Sequence, residues 1–75
     1  MTEQEFIEIF KASFDELTSE ILPSTRYKEL AEWTSMQALF FIAHLDDETG
    51  VVFSSEDLIN TKTIEDLFEI ILKRI

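Results

Sequence analysis

Apolar residues in this chain fall at helical intervals, and most such stretches follow a hydroxyl residue placed to close the open end of a helix. The last segment is the strongest case: Ile64, Leu67, Phe68, Ile71, Leu72 and Ile75 recur at i, i+3, i+4, i+7, i+8 and i+11, the period of one helix face. Thr63 and Asp66 form a capping pattern ahead of it, and Lys73 and Arg74 occupy the end where cations complement the helix dipole. No strand pattern competes for this segment. Thr2 and Glu5 repeat the capping pattern before Phe6, Ile9, Phe10, Phe14 and Leu17, which predicts a first helix running to about Ser19. Its aromatic stripe reads as core. Thr34 and Gln37 form a third such pair, in which the threonine hydroxyl and the glutamine amide would each satisfy a backbone N–H. A second helix is predicted from Ser35 to about Glu48, stopped by Gly50, the only glycine in the chain. Leu39, Ile42 and Leu45 mark one face of it, while Met36, Phe40, Phe41 and Ala43 spread apolar character over much of the rest. Such a helix is either nearly engulfed or exposes an apolar strip that meets partners.

Between these helices, Glu20 to Thr34 breaks the pattern at Pro23 and predicts a long loop with a short helical turn. Its apolar residues, Trp33 among them, read as anchors that lay the loop across the helices. Val51 to Phe53 is an apolar connector, and Ser54 or Ser55 caps a short third helix ending near Ile59, with Asn60 and Thr61 as breakers. The fold class is therefore all-α: a small four-helix bundle, three helices longer and the third short, in a single domain over residues 1–75. Seventy-five residues are near the size at which one core barely stabilises a fold. With no cysteine to form disulfides or thiolate metal sites, packing must do it, and seven phenylalanines with many Ile and Leu supply the volume.

Sixteen acidic against six basic residues give a net charge of −10. That balance disfavours DNA, RNA and anionic membranes as partners and favours basic protein surfaces. The longest unbroken apolar run, Ala38 to Ala43, is far short of the ~20 residues of a membrane span. The acidic N-terminus also lacks the layout of a signal peptide, so a cytoplasmic location is the expectation.

The chain offers little chemistry of its own. His44 is the sole histidine and Ser35 an obvious nucleophile, but they stand nine positions apart on one helix. At about 100° and 1.5 Å per residue that places their side chains on opposite sides of the rod. His44 with Asp47 and Glu48 has the spacing of a weak metal clip, yet one imidazole and two carboxylates on a helix more often form a solvated surface. Asp46 to Glu48 and Glu56-Asp57 lack the alternation and internal glycine of a calcium loop, and one glycine cannot build a phosphate cradle. No catalytic residue and no metal site is assigned, and the chain is not read as an enzyme.

An acidic four-helix domain of this length, with a serine opening its second helix, resembles the acyl and peptidyl carrier proteins. The resemblance covers nearly the whole chain. The family's Asp-Ser-Leu or Asp-Ser-Met motif corresponds to Thr34-Ser35-Met36, with Thr34 in place of aspartate, and Trp33 fits a subgroup with tryptophan just before it. Asp46-Asp47-Glu48-Thr49-Gly50, the connector Val51 to Phe53, the short helix Ser55 to Ile59 and the start Thr63-Ile64-Glu65-Asp66-Leu67 follow in the family's order. By that resemblance Ser35 would receive 4′-phosphopantetheine from coenzyme A through a separate magnesium-dependent phosphopantetheinyl transferase. The chain would then present an acyl or aminoacyl thioester to loading and processing enzymes with basic docking surfaces, acting as a monomer. Carboxylates at Glu32, Asp46, Asp47, Glu48, Glu56 and Asp57 would steer those encounters, with Thr34 beside the site and Met36 and Phe40 as the apolar centre of contact. Phe40 stands where many carriers have an acidic residue, which implies a greasier strip and a dedicated partner. The rival reading is an unmodified acidic interaction module, an adaptor or inhibitor, that binds a basic protein surface.

Overall fold

Hydroxyl side chains open all four helices. In the computed structural model, which describes residues 1–75, these are α1 (Glu3–Ala12), α2 (Ser35–Thr49), α3 (Ser55–Ile59) and α4 (Ile64–Arg74), with one 3-10 turn at Tyr27–Glu29 and no strand. Thr2 Oγ1 accepts from the Glu5 amide at 3.1 Å while Glu5 Oε1 accepts from the Thr2 amide at 2.8 Å. Ser54 with Asp57 and Thr63 with Asp66 close the same reciprocal pair at α3 and α4. α2 departs from the pattern. Thr34 Oγ1 accepts from the Gln37 amide at 3.0 Å, but the Gln37 side chain turns inward instead of back to the cap. It is buried, and its Nε2 donates to the Ser13 carbonyl at 3.2 Å and to Ser13 Oγ at 3.0 Å.

That contact also explains why α1 stops at Ala12, well short of the predicted Ser19. The Ser13 carbonyl, which a longer helix would pair with the Leu17 amide, is taken by Gln37, and the Ser13 hydroxyl donates to the Phe10 carbonyl at 2.7 Å. The freed chain from Ser13 onward becomes part of the long connection. Phe14 and Leu17 still pack on the core from that connection, although they are not helical.

The core is an aromatic lattice. Phe6 and Phe10 of α1, Tyr27, Phe41 and Leu45 of α2, and Ile64, Leu67 and Ile71 of α4 are fully buried. Phe10 lies at its centre, with ring centroids 5.1 Å from Phe41, 5.2 Å from Phe14, 6.1 Å from Trp33 and 6.2 Å from Tyr27. Trp33 is thus the anchor its position predicts. The long connection is also fixed by hydrogen bonds: the Pro23 and Thr25 carbonyls accept from the Glu65 and Ile64 amides at 2.9 and 3.1 Å, satisfying open donors at the start of α4. The Tyr27 hydroxyl donates to the Leu58 carbonyl at 3.0 Å and bonds to the Thr61 hydroxyl, holding the 3-10 turn against α3.

Of the face marked by Leu39, Ile42 and Leu45, only Leu45 is fully inside, with Ile42 half-buried. Gln37, Phe41 and Leu45 are buried, whereas Leu39 is 64 % exposed. The reason is spacing: residues four apart lie on one face of a helix, and Phe41 is the member that fits among Phe6, Phe10 and Phe53. Gly50 ends α2 in the left-handed conformation, φ 76°, and its amide donates to the Asp46 carbonyl at 2.7 Å. On α4, Ile64, Leu67 and Ile71 face the core while Leu72 and Ile75 are exposed. The radius of gyration is 11.0 Å, that of a compact globule of this length.

Candidate functional site

Ser35 is the first residue of α2, exposed to solvent and free of the capping role, which Thr34 performs. A helix start leaves backbone N–H groups pointing outward and carries positive potential, and the first turn of α2 contains no acidic side chain to cancel it. Two open grooves meet at Ser35. One, of about 530 Å³, is lined by Lys28, Trp33, Thr34, Ala38, Leu58 and Ile59 together with Ser35. The other, of about 310 Å³, runs between α2 and α3 past Ala38, Leu39, Ile42, Ser55 and Leu58.

From Ser35 the outer face of α2 presents Met36, Leu39 and Phe40, 63, 64 and 52 % exposed. Spacings of three and four place them on one strip, which continues through exposed Ala43 to Asp46, Asp47 and Glu48, all exposed. Of the two possibilities for this helix, the exposed apolar strip is the one realised. Leu39 belongs to that strip, and on a helix apolar over most of its surface no local pattern separates it from the core residues.

The remaining acids divide. Glu56 is exposed. Both Asp57 oxygens accept from the Arg74 guanidinium, at 2.7 and 2.8 Å, and Oδ2 also accepts from the Ser54 amide at 2.7 Å. The Arg74 hydrogen bonds, with those of Ser54, hold the Asp57 carboxyl at about 2, well below the usual carboxylate range. Asp57 is therefore a clamp between α3 and α4 first. Glu32 Oε2 accepts from the Thr18 amide at 3.2 Å and the Thr18 hydroxyl at 2.9 Å, and these bonds lower its pKa as well. It ties the two ends of the long connection together and is half-buried.

His44 shares a separate open depression with Ala43, Asp46 and Asp47, away from the residues that line the Ser35 grooves. No group of three histidine or acidic side chains converges on a point that could hold a metal. Lys28, Leu58 and Ile59 are the site residues that local sequence does not announce. They come from the 3-10 turn and α3, and only the tertiary fold sets them beside Ser35. No protein-family model matches the chain, and a search of curated proteins finds no significant match.

Proposed function

We propose that this chain is an acyl carrier protein, holding an acyl or aminoacyl intermediate as a thioester on 4′-phosphopantetheine attached to Ser35. The observation that carries the reading is the division of labour at the start of α2. Thr34 Oγ1 caps the helix at 3.0 Å, leaving an exposed serine hydroxyl at the positive end of a 15-residue helix. The residues fit the group: no acidic side chain in the first turn of α2 would repel a phosphodiester on Ser35, and two open grooves border that residue. When bound, the group supplies the thiol on which the cargo is carried. The chain's own part is to hold the attachment point rigid on a helix end and to offer the adjoining strip to partners.

That strip fits enzymes with basic docking rims. Met36 and Phe40 form an apolar centre, and Asp46, Asp47 and Glu48 an acidic flank, on a chain of net charge −10. The loading transferase and the acyl-processing enzymes are the proposed partners, met by a monomer in the cytoplasm. The same exposed strip would also serve an unmodified adaptor or inhibitor, so the decisive property is modification itself. Incubated with coenzyme A, magnesium and broad-specificity phosphopantetheinyl transferases, the protein should gain the mass of one phosphopantetheinyl group, and Ser35→Ala should gain none. No gain with any transferase selects the adaptor reading, and a gain that survives Ser35→Ala rules out Ser35 as the attachment point and with it the carrier reading stated here.

A further inference from the structure

The interior of the bundle has no room for a cargo. All of its cavities open to solvent, and the space between the helices is filled by the rings of Phe6, Phe10, Tyr27, Phe41 and Phe53. An acyl chain entering such a core would have to displace close-packed rings. A group tethered to Ser35 is therefore confined to the surface, where the two grooves that Ser35 borders are the nearest apolar cover.

The larger groove is the one that carries a charge. Lys28 Nζ donates to the Leu58 carbonyl at 2.8 Å and the Ile59 carbonyl at 3.3 Å, and lies 5.8 Å from the centre of the Tyr27 ring. Those contacts fix a flexible stem in place while using two of the three ammonium donors. No carboxylate lines the groove. Elsewhere Arg26 pairs with Glu29 and Arg74 with Asp57, and neither borders Ser35. A fixed cation thus stands at the rim of an apolar trough walled by Trp33, Ala38, Leu58 and Ile59, on a chain that is otherwise strongly acidic.

We infer that this groove binds the free end of a carboxylate-terminated cargo carried on Ser35. Lys28 is the counter-charge, Trp33, Leu58 and Ile59 are the apolar walls, and acyl groups ending in a carboxylate are held in preference to methyl-terminated ones. The inference takes its cargo from the carrier reading, but its test does not depend on a transferase. The chain has no cysteine and one tryptophan, so S35C offers a unique attachment point and Trp33 a unique reporter.

S35C is alkylated with either of two iodoacetamides built on the same linker, one ending in a carboxylate and the other in the methyl ester of that carboxylate. The carboxylate probe should move Trp33 emission to shorter wavelength and shift the amide resonances of Leu58 and Ile59. The ester should leave both near the values of unalkylated S35C. Lys28→Met in the S35C background should abolish the carboxylate shift, and Lys28→Arg should retain it. Equal shifts with both probes, no shift with either, or a shift that survives Lys28→Met overturns the inference. Should Lys28→Met loosen α3, the two-probe comparison with Lys28 in place still decides. Failure of the wild-type chain to be loaded by any transferase counts against the carrier reading alone.

Discussion

Thr34 and Ser35 are adjacent hydroxyl residues with different duties, and the difference is set by one dihedral step. Thr34 is extended, φ −137° and ψ 170°, so its side chain folds over the first turn, whereas Ser35 is already helical and its side chain points out. Thr34→Ala removes the cap and should cost about 1 kcal/mol, a fall in Tm of roughly 4–8 °C for a domain of this size. Thr34→Asp keeps the cap and adds a carboxylate at the positive end of α2, so its Tm should equal or exceed that of the parent. Thermal melts of both variants test this, and equal losses would contradict the assigned cap. Gln37 carries the opposite lesson. Its position three after Thr34 reads as a capping partner, yet the side chain is buried, and its amide must find its acceptors inside, at the Ser13 carbonyl and hydroxyl.

At the scale of elements, α3 is too short to be stable alone and is held from both sides. Tyr27 and Lys28 reach its C-terminal carbonyls, and Arg74 of α4 grips Asp57 in its first turn. The Asp57 carboxyl, depressed from 3.8 to about 2, makes this clamp pH-dependent. A folded-state value below the unfolded one stabilises the fold above the unfolded pKa, and that stabilisation is lost as pH falls toward the folded value. Glu5, Glu32 and Asp66 are lowered in the same direction by backbone N–H groups of Thr2, Thr18, Lys62 and Thr63. The Tm should therefore decline between about pH 4 and pH 2. Asp57→Asn should lower the Tm at neutral pH and flatten the decline across that window, and an unchanged slope would show that the clamp is not its source. α2 carries a cost of a different kind: Asp46, Asp47 and Glu48 crowd the negative end of its dipole.

At the scale of the whole molecule that cost separates stability from association. Replacing Asp46, Asp47 and Glu48 with lysine should stabilise the isolated domain, each change contributing about 0.3–1 kcal/mol. The same change should slow association with a basic partner, strongly at low salt and little at high salt, because screening shortens the reach of the field. Stopped-flow rates against ionic strength, set beside thermal melts, measure both; a rate loss equal at both salts would rule out steering. An unaltered Tm would leave the dipole cost unsupported.

The order of residues sets the helices and most of their ends. Thr2, Ser54, Thr63 and Gly50 act through neighbours within four residues, and such local hydrogen bonds and backbone preferences are legible in order along the chain. It also placed the exposed serine at the start of α2, since which residue caps and which follows is a local matter. Long-range packing set where α1 ends, because the Ser13 carbonyl pairs with Gln37, 24 positions away. It decided likewise which face of α2 is inward. A helix that is apolar on most sides carries no pattern to choose by, and the choice fell to Phe41, the ring that fits beside Phe6, Phe10 and Phe53. The groove beside Ser35 belongs to the same class, because Lys28 and Ile59 become its neighbours only when the long connection folds across α3.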